Sequence, residues 1–100
     1  MATRDSGRIM GDRVPFGLDA AESLSWALGS EVVAAKPECA RLERTDGSGS
    51  LAAFRATEHT VVVRVRTAVG REKFYGLAAA DFRDALADAG ARWRVVDADC

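Results

Sequence analysis

One hundred residues, 48% apolar and 29% charged, have the composition of one folded domain; the chain is too hydrophobic and too weakly charged for the disordered class. A net charge of −1 excludes a global field that would draw it to nucleic acid or an anionic membrane, so any such binding has to come from a local patch. The N-terminus lacks an apolar run of signal-peptide length, and no stretch approaches ~18 apolar residues, so a cytoplasmic protein without a membrane association is expected.

Residues 1–7 mix small and charged side chains without periodicity and are expected to be disordered, leaving 8–98 as a single α+β domain. Arg8 to Phe16 has the pattern of a short strand, interrupted by Gly11 and confined to an edge or an end by Pro15. Asp19 and Glu22 have the spacing of a capping box. Leu24, Ala27, Leu28, Val32 and Ala35 follow at helical spacing, predicting a first helix that stops either at Gly29-Ser30 or before Lys36-Pro37.

From Cys39 to Gly76 the pattern alternates, with turn residues between the runs. Four antiparallel strands are predicted near Cys39–Thr45, Leu51–Thr57, Thr60–Ala68 and Arg71–Gly76, turning at Asp46-Gly47-Ser48-Gly49, Glu58-His59 and Val69-Gly70. A second helix over Ala79–Ala89 carries Phe82, Ala85, Leu86 and Ala89 on one face and ends at Gly90; a last strand covers Arg92–Val96.

Period-2 alternation sorts the strand side chains onto two faces. Phe54, Val61, Val63, Val65, Phe74, Trp93 and Val95 fall on one; Arg55, Arg64, Arg66, Arg71, Lys73, Tyr75, Arg92 and Arg94 take the alternate positions. The apolar face needs a cover. The two helices are the available one, which gives a two-layer α+β fold: an antiparallel sheet of four to six strands with both helices on one side. On this reading Val63→Asp or Trp93→Asp abolishes the cooperative melt, because each puts a charge into that core.

The arginine-rich face carries the functional question. Between Arg64 and Arg94 seven basic residues face four acidic ones, with Tyr75 among them. A basic sheet with an aromatic can hold single-stranded nucleic acid by phosphate contacts and base stacking. Arginine forks bind the carboxylates of an acidic protein surface equally well. Ahead of both stands the plain reading, a solvated sheet face in an arginine-rich chain, where arginine outnumbers lysine by twelve to two.

Catalytic patterns are weak. His59 is the only histidine and sits in a predicted turn with no nucleophile spaced beside it; Glu38 adjoins Cys39 and works against a reactive thiolate. Asp97 and Asp99 form no preorganised cation cage, and Asp81, Asp84 and Asp88 read as helix capping and surface charge. The spacing of Cys39 and Cys100 spells neither a zinc framework nor a redox motif, and leaves open whether they pair. No catalytic residue, metal or cofactor is therefore assigned. The leading expectation is a non-enzymatic protein-binding module, an inhibitor, adaptor or regulator that docks through the arginine face or a strand edge; an edge also invites homodimerisation. A nucleic-acid-binding protein is the alternative, and a small enzyme the third.

Overall fold

The computed structural model describes residues 21–87 and 93–100. The elements in chain order are β1 (Glu22–Leu24), α1 (Trp26–Ala35), β2 (Glu38–Arg44), β3 (Gly49–Arg55), β4 (Thr60–Thr67), β5 (Glu72–Ala78), α2 (Ala79–Ala87) and β6 (Trp93–Ala98). The strands form one antiparallel sheet in the order β1-β5-β4-β3-β2-β6, so the α+β class holds with six strands. The N-terminal strand expected over 8–16, the disorder expected over 1–7, and the helix end at Ala89 and Gly90 lie outside the described residues.

The three hairpins from β2 to β5 follow from turn chemistry. Asp46 accepts from the Ser48 N–H at 2.9 Å, and Gly47 takes a φ of 77° that an L side chain resists. Gly70 does the same between β4 and β5 at φ 87°.

The N-terminal part departs from expectation. Glu22 is no capping residue: it lies in β1, paired opposite Gly76, and the helix is capped by Ser25, whose hydroxyl accepts from the Leu28 N–H at 3.1 Å. Of the two ends expected for this helix, the later one holds, and it does not stop at Gly29. It runs to Ala35, and the Lys36 N–H still bonds to the Val32 carbonyl before Pro37 breaks it.

Register corrects the face assignment. Val63 stands opposite Ala53 and Tyr75, and Val61 opposite Arg55 and Leu77, which places Tyr75 and Arg55 on the valine side. Phe74 stands opposite Arg64 and Leu24, and Phe54 opposite Val62, so both phenylalanines belong to the other side. We call the first face the front. Its core joins Leu42, Leu51, Ala53, Val61, Val63, Leu77 and Trp93 to Phe82 and Ala85 of α2. The back holds Ala52, Phe54, Val62 and Phe74, all buried.

The two helices consequently do not share a face, contrary to the expected two-layer arrangement. α2 packs on the front, whereas α1 lies on the back, where Trp26 meets the Phe74 ring edge-on at 6.4 Å between centroids. Gly29 decides this seating: a Cβ built there would lie 2.1 Å from Cγ of Phe74. A glycine in mid-helix costs about 1 kcal/mol against alanine, and here it permits backbone-to-ring contact that no larger residue allows. A strand between two covered faces needs apolar residues at consecutive positions, which is what Val61-Val62-Val63 supplies.

Candidate functional site

The eight residues expected to line one basic face are divided by the sheet. Arg64, Arg66 and Arg94 share the back. Arg55 and Lys73 stand on the front opposite Val61 and Val65, Tyr75 is buried there, and Arg71 lies in the turn that leads into β5. Arg92 lies outside the described residues.

On the back, the arginines are interleaved with carboxylates because the strands bring them into rungs. One rung runs Arg94, Glu43, Ser50, Arg66, Glu72 across five strands. Arg94 pairs with Glu43 and Arg66 with Glu72, in both cases through a guanidinium N–H donating to a carboxylate oxygen. The next rung places Asp97, Arg41, Ala52, Arg64 and Phe74 side by side, and the guanidinium of Arg64 lies over the Phe54 ring at 5.4 Å. Arg41 donates two hydrogen bonds to Glu38, at 2.9 and 3.0 Å, and that carboxylate raises the arginine's pKa. Such exposed pairs contribute little stability each. Their effect is on the surface potential: four arginines stand among Glu22, Glu38, Glu43, Glu72 and Asp97, and the back is a mixed-charge surface, not a basic one.

The other polar candidates remain apart. His59 is exposed in the β3–β4 turn, its Nε2 3.2 Å from Glu58, and the Arg55 guanidinium donates to the Glu58 carbonyl at 3.2 Å. Cys39 and Cys100 are joined in a disulfide, their Cα atoms 4.9 Å apart. Among the described residues no cluster of His, Cys, Asp and Glu is placed to hold a metal ion, and no helix is long and apolar enough to cross a membrane.

The feature that sequence reasoning missed is the outward side of α1. Ala27, Leu28 and Ala35, expected to face the core, are exposed, and Gly29 is the buried residue of this helix. Trp26 is 63% exposed and Leu28 49%, and Glu31 is the one ionisable residue in the helix. The signal was present in the sequence: Trp26 to Ala35 has no polar face to turn to solvent, whichever way the helix is rotated. Apolar α1 and the charged rungs lie on the same side of the sheet, α1 over β4 and β5 and the charges on β2 and β6 and on Arg64, Arg66 and Glu72 of β4 and β5.

Searches against protein families, curated proteins and solved structures found no match for this chain.

Proposed function

We propose that the protein is a binding module for another protein, acting as an inhibitor, adaptor or regulator, and that it docks through the back of the sheet with α1 at the centre. The observation that carries this reading is the exposure of Trp26 and Leu28 on a helix with a single charge. Large exposed apolar side chains bordered by charged groups have the anatomy of a protein interface, with a greasy centre and a polar rim. Tryptophan is also the residue type most often found to anchor such contacts.

The rim is supplied by Arg64, Arg66, Arg41 and Arg94 with their carboxylate neighbours. A surface of alternating sign suits a partner that presents both signs, which a protein does and a phosphate backbone does not. This favours the protein partner over the nucleic-acid reading.

The test is affinity capture of the tagged full chain from lysate of its own host, with and without nuclease, using wild type and a Trp26→Ala, Leu28→Ala variant. Both side chains are exposed, so the variant is expected to fold, which circular dichroism checks. Stoichiometric recovery of a protein that survives nuclease and is lost in the variant is the expected result. Recovery abolished by nuclease and weakened by Arg64→Glu, Arg66→Glu transfers the function to nucleic acid.

A further inference from the structure

We propose that β6 is a strap held shut by the Cys39–Cys100 disulfide, and that reduction of this bond by a dithiol frees the end of β6 and uncovers the outer edge of β2.

The strand has little other than backbone to hold its second half. Trp93 is buried in the front core, with the guanidinium of Arg44 over its ring at 5.5 Å, but every side chain from Arg94 to Ala98 is exposed. Among the described residues β6 pairs with β2 alone, and the register slips between Arg41 and Leu42, leaving Val96 with no partner in that ladder. Beyond the slip, the strand is tied by the pairs Arg41–Asp97 and Ala40–Ala98, by the Asp99 N–H bonded to the Cys39 carbonyl at 2.6 Å, and by the disulfide. Solvent-exposed ladder bonds exchange readily for bonds to water, so the covalent link is what keeps this half in place.

The disulfide joins Cys100, just beyond β6, to a position where β2 itself is irregular. Glu38 stands opposite Phe54 and Ala40 opposite Ala53, so Cys39 is the extra residue of a bulge, and it is buried in the front core. Cys100 is the more accessible partner, at the rim of the same core. A dithiol thiolate therefore attacks Sγ of Cys100 and displaces the Cys39 thiolate, giving a mixed disulfide. The second thiolate of the same dithiol then displaces Cys100. Two electrons pass to the protein, both cysteines take up a proton, and the reductant leaves as its own disulfide. Once released, Val96 to Cys100 no longer pairs with Ala40 and Arg41, and the strand edge opened there accepts another strand. Trp93 stays behind as the hinge anchor.

The test is amide hydrogen exchange on the full chain, oxidised and in dithiothreitol, with Cys100→Ser as the reductant-independent counterpart. Exchange at Val96 to Asp99 and along β2 is expected to rise by on the order of tenfold or more on reduction, with β3, β4 and β5 still protected, the signature of local opening. Cys100→Ser reproduces the reduced pattern and does not respond to dithiothreitol. Unchanged exchange in β6, or exchange in β6 and β2 no faster than the global unfolding reported by β3 to β5 in the reduced chain, overturns the proposal.

Discussion

Gly29 and Phe74 show how one contact fixes the position of a whole helix. Alanine is the better helix former, yet a methyl group at 29 would collide with the phenyl ring. Gly29→Ala is therefore expected to lower stability by about 1–3 kcal/mol in a denaturant titration, as overpacking does. Phe74→Leu in the same chain should recover part of that loss, and additive losses would show that the two sites do not touch. Asp46 is the other residue with a specific chemical state. Hydrogen bonds from the Ser48 side chain and N–H, then from Arg44, hold its carboxyl down to about 2. The unfolded chain binds that proton more readily, so the contribution of Asp46 is present at neutral pH and is lost as pH falls from ~4 through about 2. The gap in melting temperature between wild type and Asp46→Ala should accordingly be open at pH 7 and closed near pH 2; a constant gap would show that the charged form is not the one that holds the turn.

At the level of elements, α1 is capped by a residue that periodicity did not single out. Ser25→Ala is expected to cost about 1 kcal/mol of stability, whereas Glu22→Ala, in a short edge strand and exposed, is expected to cost much less. Equal losses, or the reverse order, would restore the capping box at Asp19 and Glu22. The strands from β2 to β5 were legible because consecutive hairpins with glycine turns leave little freedom in pairing. β1 was not: three residues are too few to display a period, and Glu22 to Leu24 were absorbed into the helical stripe that follows. The split of the arginines has a related cause. Alternation within one strand tells which residues share a face of that strand, but the relation between faces of neighbouring strands depends on register, and one residue of error on β5 exchanged Phe74 with Tyr75.

For the molecule as a whole, the disulfide closes a loop over a sequence separation of 61, spanning most of the sheet. Loop-closure entropy assigns such a link about 4 kcal/mol, a large share of the stability of a domain this size. Urea titration with and without reductant should show a difference of this order, with the reduced chain still folded; a reduced chain that is unfolded without urea would mean that the apolar core cannot stand alone. Structural disulfides persist in oxidising compartments and are rare in the cytosol. The expected cytoplasmic location and the disulfide therefore pull in different directions, and in the proposed strap the redox state of the surroundings sets whether the edge of β2 is covered.

The sequence by itself determined the α+β class, the hairpin series from β2 to β5, the second helix and the final strand, because each is encoded in a local period or a local turn. The side on which each helix packs, the pairing of Arg66 with Glu72 and Arg94 with Glu43, the burial of Tyr75, the exposure of Trp26 and the joining of Cys39 to Cys100 were decided by the tertiary structure alone. All of these are relations between segments distant in sequence or in separate strands. They are set by register and by close approach between side chains, neither of which a local pattern contains.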